Sequence, residues 1–177
     1  MTEKQMTVKE NIHRLSEKEI TDFIMERFAE VKKSSKIKDL VSFQAMNKYM
    51  IMSKDQEQLK ILGNIVAKYK KGKIKEIIGE YEIHLNKALV NAPTTKTHAN
   101  VILHIFGYFS KYFSQNEKEV FFKLLEEFKE DKITIGKTLA EINPIIYRFN
   151  NTYLASQTYF LLYSDPQPGN IFSFLSK

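Results

Sequence analysis

The chain has 177 residues with no cysteine, 43% hydrophobic residues, 12% aromatic residues and a formal net charge of +6. This length and composition indicate one folded domain with a substantial core, and they exclude a disordered chain. The lack of cysteine excludes disulfides, a cysteine nucleophile, thiolate zinc sites and a cysteine-held iron–sulfur cluster within this chain.

The sequence also bears on the location of the protein. It has no run of about 18 apolar residues, and Met1–Lys4 lacks the basic-then-apolar layout of a signal peptide. We therefore expect a cytoplasmic protein without a membrane span.

Lysine supplies most of the positive charge, because arginine occurs only as Arg14, Arg27 and Arg148. A positive charge favours polyanionic partners. Bidentate recognition of phosphates and bases favours the arginine fork, so we do not expect dense sequence-specific readout of a nucleic acid. An AT-rich genome would give the same lysine-rich composition without any function.

Helical patterns follow one another along the chain. Apolar residues recur at spacings of three and four, prolines occur only at positions 93, 144, 166 and 168, and no convincing alternating run is present. We therefore predict an all-α fold, a single compact bundle of about eight helices. Residues 1–35 are expected to form an N-terminal extension and first helix that pack on a helical domain of residues 36–177. The predicted helices cover residues 16–33, 36–51, 54–70, 73–90, 97–113, 115–130, 135–149 and 152–162.

Three helix starts carry the pattern Ser-x-x-Glu or Ser-x-x-Gln. In this pattern the two side chains cap free backbone N–H groups reciprocally. The three pairs are Ser16…Glu19, Ser53…Gln56 and Ser114…Glu117.

A lysine-rich turn joins the third and fourth predicted helices. Five lysines in KYKKGKIK, residues 68–75, surround Gly72, and such a cluster can follow a nucleic-acid backbone. A solvated helix end, whose cations favour the negative pole of the helix dipole, explains the same pattern. The function of this turn therefore stays open.

The segment TTKTHANVILHIFGYFSKYF, residues 94–113, holds the first candidate site. On a helix, spacings of three, four and seven return to one line, so one polar stripe lies opposite a wide apolar arc. The stripe consists of Asn100, His104, Gly107, Tyr108 and Lys111. Four side chains able to bond a ligand thus accompany a glycine that lets a ligand approach the backbone. An ordinary solvated face would show the same pattern.

The start of the same segment suits an anion. Thr94, Thr95, Lys96 and Thr97 place hydroxyls and one ammonium beside N–H groups that lack intrahelical partners, which favours phosphate or carboxylate. His98 is predicted to face the apolar side. In the alternative interpretation Thr97 is only a helix cap and His98 is a core histidine. The histidines lack the paired spacing of a zinc site, so no metal is expected.

Aromatic residues beside a cation form the second candidate site. Tyr153, Gln157 and Phe160 align at helical spacing, with Arg148 and Tyr159 nearby. Such aromatics stack on single-stranded RNA in many proteins, but they also build ordinary cores.

Motifs typical of enzymes are missing from the sequence. It has no nucleophile elbow, Walker loop, dinucleotide fingerprint or His-Glu-x-x-His motif. We therefore expect no cofactor and do not expect an enzyme, although an acid–base role of His98 or His104 stays an alternative.

Three segments carry a family resemblance, namely TKTHANVILHIFGYFSKYF, LLEEFKEDKI and YLASQTYF. From about Leu40 to Ile171 the chain resembles the YbgA-like family, domain of unknown function number 1722. In this family the domain occurs alone or joined to an iron–sulfur module similar to thiouracil desulfidases, and such fusions are implicated in removing sulfur from 4-thiouridine in transfer RNA. The resemblance implies that the helical domain presents RNA to that chemistry. The residues that match the family motifs are Lys96, His98, Asn100, His104, Gly107, Tyr108, Tyr153, Gln157 and Tyr159.

The chain departs from this family in two places. Where relatives tend to have Phe-His-x-x-His-Lys, Gln44 and Asn47 replace the histidines and only Lys48 retains the charge. Because amides carry no proton at neutral pH, an acid–base role of that helix is not expected here. Pro144 interrupts the segment that leads to Arg148. Without cysteine, a desulfurating centre would have to come from a separate iron–sulfur desulfidase chain.

Three hypotheses follow. The first is an accessory module that binds transfer RNA or another RNA, with phosphates held by Lys48, Lys96 and Lys111. Here His104, Tyr108 and Tyr159 would lie near a nucleotide. The second is a scaffold whose aromatic C-terminal patch contacts another protein or a second copy of the chain. The third is the enzyme with a catalytic histidine, and the oligomeric state stays open in all three.

Overall fold

The computed structural model of the protein describes residues 14–71 and 73–173. In this part of the chain ten α-helices follow one another without any strand, which confirms the predicted all-α fold. Residues 1–13 of the expected N-terminal extension and Gly72 of the lysine-rich turn lie outside the described residues. The helices are α1 Glu17–Ser34, α2 Ile37–Met46, α3 Lys48–Lys54, α4 Gln56–Ala67, α5 Ile74–Leu89, α6 Thr95–Phe109, α7 Gln115–Lys129, α8 Ile135–Arg148, α9 Thr152–Ala155 and α10 Thr158–Tyr163. A 3-10 helix, Tyr69–Lys71, follows α4.

The apolar faces of these helices meet in one core. α4 packs on α5, α6 lies against α3 and α7, and α8 contacts α9 and α10. α6 buries Val101, Ile102, Ile105 and Phe109 within this core. Since one face of α6 is used for packing, the polar stripe on its other side is left at the surface.

Two of the three predicted capping pairs are confirmed. The backbone N–H of Glu19 donates to Ser16 Oγ at 3.1 Å, and that of Glu117 donates to Ser114 Oγ at 3.2 Å. The third pair is wrong, because Asp55 caps α4 by accepting from Gln58 N at 3.0 Å. Ser53 instead lies buried inside α3, where its hydroxyl donates to the carbonyl of Met50.

The second predicted helix is interrupted at Asn47, which separates α2 from α3. The Asn47 side chain donates to the Phe43 carbonyl at 2.9 Å and so competes with the helical backbone. Gln157 bridges the break: its amide donates to Ala45 O at 2.7 Å and its oxygen accepts from Tyr49 N at 3.4 Å. The break therefore depends on a residue from the far end of the chain.

The last predicted helix is likewise divided, into α9 and α10. Gln157 is extended there, with φ −69° and ψ 127°, and this conformation accompanies the insertion of its side chain beside α3. α8, in contrast, continues through Pro144 to Arg148. The expected interruption at this proline does not occur in the structure.

The boundaries of α6 also differ from the prediction. The helix begins at Thr95 rather than at residue 97, and it ends at Phe109 rather than at residue 113. Thr94 is the N-cap and accepts from Thr97 N at 3.1 Å, while Thr97 Oγ1 accepts from Thr94 N at 2.8 Å. Two threonines thus form a capping box that usually contains an acidic or amide residue.

We searched the described residues for helices able to span a membrane. No helix among them combines the required length with the required apolar character.

Candidate functional site

An outer row of four residues lies along the solvent side of α6. His104, Gly107, Tyr108 and Lys111 are all exposed, as the helical spacing predicts. Asn100, one turn before them, is half-buried and donates to Gln56 Oε1 at 3.1 Å. The first four residues therefore present an uninterrupted surface, whereas Asn100 is already engaged with α4.

Three tyrosines meet beside the outer row and form what we call the tyrosine cluster, Tyr49, Tyr108 and Tyr153. The ring of Tyr153 lies 6.4 Å from that of Tyr49 and 6.1 Å from that of Tyr108. Lys48 places its ammonium 5.6 Å from the Tyr49 ring. Burial, and then the interaction with Tyr108, raise the pKa of Tyr49 far above its usual range. The cluster is therefore uncharged at neutral pH and combines aromatic faces with hydroxyl groups.

Gly107 is not required by packing. A Cβ atom built there meets no described atom within 4 Å, and the same holds for Gly79 in α5. Glycine inside an exposed helix costs about 0.5–1 kcal/mol relative to alanine. Open space above the backbone at Gly107 lies next to His104 and Tyr108, so a flat group has access to this part of α6.

Acidic side chains are missing from the segments that build this surface. Residues 40–54, 83–116 and 142–164 contain no aspartate or glutamate. Contacts of α3 with α6 and of α10 with α3 bring the three segments together. Lys96 and Lys111 are exposed here, and Lys111 places its ammonium 4.9 Å from the exposed Tyr112 ring. The surface therefore combines cations and aromatic rings.

His98 and Tyr159, by contrast, turn inward. His98 is only 7% exposed, Tyr159 is fully buried, and His98 Nδ1 lies 2.6 Å from the Tyr159 hydroxyl. Burial lowers the pKa of His98 to about 4, so its ring is neutral at pH 7. This agrees with the predicted orientation of His98, and it places Tyr159 out of reach of a ligand on the surface.

Around His98 lies an inner polar cluster formed by Glu17, Lys54, His98, Tyr159 and Tyr163. The Lys54 side chain is fully buried, and its ammonium lies 2.8 Å from a Glu17 oxygen. The Tyr163 hydroxyl donates to the same carboxylate at 2.9 Å, and its ring centre is 5.1 Å from that of His98. Sequence reasoning missed Glu17, Lys54 and Tyr163. The one available signal was Lys54 at the end of the apolar run MIMSK.

Three other predicted site residues are engaged within the fold. Arg148 lies 2.6 Å from the buried carboxylate of Glu117, and its guanidinium lies 4.5 Å from the Phe149 ring. This contact is an ion pair whose N–H does not point at the Glu117 oxygen, so that oxygen receives no hydrogen bond from the described residues. Gln157 bridges α2 and α3, and Thr97 belongs to the cap of α6.

The contact surface expected for a scaffold is mostly internal. Phe160 is buried in the core and Tyr153 is half-buried in the tyrosine cluster. The scaffold hypothesis therefore loses one of the side chains on which it was based.

Comparison with known proteins gave one match. No curated protein and no solved structure is significantly similar to the chain. The sequence profile of one family, described as "Protein of unknown function (DUF1722)", matches residues 48–164. This range contains α3 to α10 and thus the outer row, the tyrosine cluster and most of the inner polar cluster. Since the match covers about two thirds of the sequence, the chain belongs to the DUF1722 family.

Proposed function

We propose that the protein binds RNA through the surface formed by the outer row and the tyrosine cluster. The observation that carries this proposal is the outward position of His104, Gly107, Tyr108 and Lys111 on a surface whose segments lack acidic side chains. Phosphate groups are attracted by such a surface because no carboxylate from these segments opposes the lysines.

The two parts of the surface have different tasks in this proposal. Lys48, Lys96 and Lys111 contact phosphates, which gives affinity without base specificity. Tyr108 offers an exposed ring on which an unpaired base stacks, and Gly107 leaves room for that base against α6. His104 adds a ring nitrogen at the edge of the same site.

Transfer RNA is the RNA that we propose, on the basis of the resemblance to the helical module found with iron–sulfur desulfidases. The chain has no cysteine, so it would hold the RNA while a separate iron–sulfur chain performs the chemistry. In this role the protein is an accessory domain and not an enzyme.

A glycine pair provides a sharp test. Gly107→Ala should weaken the binding of transfer RNA, because the added methyl group fills the space next to Tyr108. Gly79→Ala is the matched control, since this glycine is also exposed, helical and without neighbours at its Cβ. Both substitutions should stabilise the fold by about 0.5–1 kcal/mol, so a selective loss of RNA affinity cannot result from unfolding.

The basic measurement is a titration of transfer RNA by fluorescence anisotropy at several salt concentrations. The affinity should fall steeply as salt rises. Absence of binding at about 50 mM salt, where even nonspecific phosphate contacts are strong, would contradict the proposal. Equal RNA affinities of the two alanine variants would remove Gly107 and Tyr108 from it.

A further inference from the structure

Two adjoining cavities lie beside the inner polar cluster, at the N-terminal ends of α6 and α8. Their volumes are about 380 and 350 Å³. Both are lined by Arg14, His98 and Ile135, so the three residues mark the place where the cavities meet. None of the three belongs to the outer row or to the tyrosine cluster.

His98 brings a hydrogen-bond donor to this place. Tyr159 is fully buried, and among the described residues its hydroxyl has only His98 Nδ1 as an acceptor. The hydroxyl therefore donates to Nδ1, which assigns the proton of the neutral imidazole to Nε2. Nε2 has no acceptor within the described part of the chain, although the ring is only 7% exposed and lines both cavities. A buried N–H group without an acceptor is costly, so this one indicates a ligand.

The helix ends supply further donors. α6 and α8 have 15 and 14 residues, and the backbone N–H groups of Thr95 and Ile135 begin them without an intrahelical acceptor. The capping threonines do not satisfy these groups, because Thr94 accepts from Thr97 N and Thr134 accepts from Lys137 N. Two positive helix ends thus converge on the cavity of about 350 Å³.

The charged groups around the cavities distinguish them. The larger cavity contains Glu17, which is held by Lys54 and Tyr163, and Asp165, whose carboxylate lies against Gly136 at the start of α8. The smaller cavity contains neither carboxylate. Its charged lining residues are Arg14, Asp131 and Lys132. Lys132 pairs with Glu130 at 2.6 Å, and Asp131 is exposed, so Arg14 is the cation left to face an anion.

We propose that the smaller cavity binds a small oxyanion, a phosphate or a carboxylate group, between the Arg14 guanidinium, the Nε2–H group of His98 and the free N–H groups of Thr95 and Ile135. A guanidinium and several N–H groups that converge on one point are the donors that such anions require. The site is distinct from the surface proposed for RNA, and it can exist whether or not RNA binds there.

The test is a titration of the full chain with inorganic phosphate and, separately, with acetate, at an ionic strength kept constant with chloride. Calorimetry measures the affinity, and nitrogen-15 NMR of the imidazoles follows His98 Nε2. We expect saturable binding of at least one of the two anions to one site, together with a shifted Nε2 resonance. Saturation by phosphate alone identifies a phosphate site, whereas saturation by acetate identifies a carboxylate site.

Arg14→Ala should weaken the affinity about tenfold or more, because a charge-assisted contact is lost. Arg14 is exposed, so this variant should fold, and Arg27→Ala is its control because Arg27 is exposed on α1. His98→Gln, compared with His84→Gln, tests the second donor. The proposal is overturned if neither anion saturates, or if Arg14→Ala binds as tightly as the unchanged protein.

Discussion

The two histidines of α6 show how one helix divides its polar residues between two environments. His98 is buried and bonded to Tyr159, and its pKa is lowered to about 4 by burial. His104 lies in the outer row and is exposed. Both belong to the same segment and both match the family resemblance, yet they face opposite sides of the helix. The comparison teaches that a short motif can contain one set of residues for the interior and another for a ligand.

The lysines and arginines show the same division. Lys54 and Arg148 are held by the carboxylates of Glu17 and Glu117, and Lys54 has no exposed side-chain surface. Lys96 and Lys111 are exposed. Because a buried cation cannot contact RNA without losing its partner, net charge by itself does not say which cations are available to a ligand.

Glu17→Ala should have the largest effect, since it leaves the buried ammonium of Lys54 without its carboxylate. Breaking a buried ion pair costs 3–5 kcal/mol, and we expect about 3 kcal/mol because Glu17 is partly exposed. The measurement is urea unfolding. Glu26→Ala, also in α1 but exposed, should change the free energy of unfolding by less than about 0.5 kcal/mol. Similar losses for both variants would show that the buried pair has no special importance.

Acid should destabilise the protein through His98. Its folded pKa of about 4 lies below the ordinary value of 6.5, so between these values the unfolded chain takes up a proton that the folded chain excludes. The contribution of His98 is complete above pH 6.5 and is lost as the pH falls toward 4, amounting to about 2 kcal/mol between pH 7 and pH 5.

Unfolding experiments at pH 7 and pH 5 check this pH dependence. His98→Gln should lose its share of the difference between the two pH values, whereas His104→Gln should retain it. An unchanged pH dependence in His98→Gln would contradict the assignment to His98.

Tyr159→Phe should destabilise the fold by about 1–2 kcal/mol, because it removes the partner of the buried His98 Nδ1 and little else. Tyr147→Phe is the control, since the Tyr147 side chain is exposed and its loss of a hydroxyl should be almost neutral. Thermal unfolding of both variants provides the measurement. A neutral Tyr159→Phe would mean that His98 finds another partner or does not need one.

Lys111→Ala should have the smallest effect on stability, below about 0.5 kcal/mol, while it changes RNA binding. The slope of log affinity for transfer RNA against log salt should decrease in magnitude by about 1, because one phosphate contact is lost. Lys33→Ala, exposed in the last turn of α1, should leave this slope unchanged. Equal slopes in both variants would separate the outer row from phosphate binding.

Much of the local structure could be predicted from the sequence. Spacing and capping patterns are set by residues within one or two turns, so the helical fold and the exposure of His104 and Lys111 were predictable. The breaks at Asn47 and Gln157 were not, because the amide of Gln157 bonds a carbonyl 112 positions away. Thr94 as the cap of α6 is a local feature, but the usual capping box has a glutamate or glutamine where this one has Thr97.

The sequence by itself determined that α6 has a polar side and an apolar side, that His98 belongs to the apolar side, and that no cysteine chemistry occurs within this chain. Only the tertiary structure decided that His98 bonds Tyr159, 61 positions away, and that Lys54 pairs with Glu17. The physical reason is that helical periodicity depends on near neighbours, whereas a buried polar group takes the partner that packing brings to it.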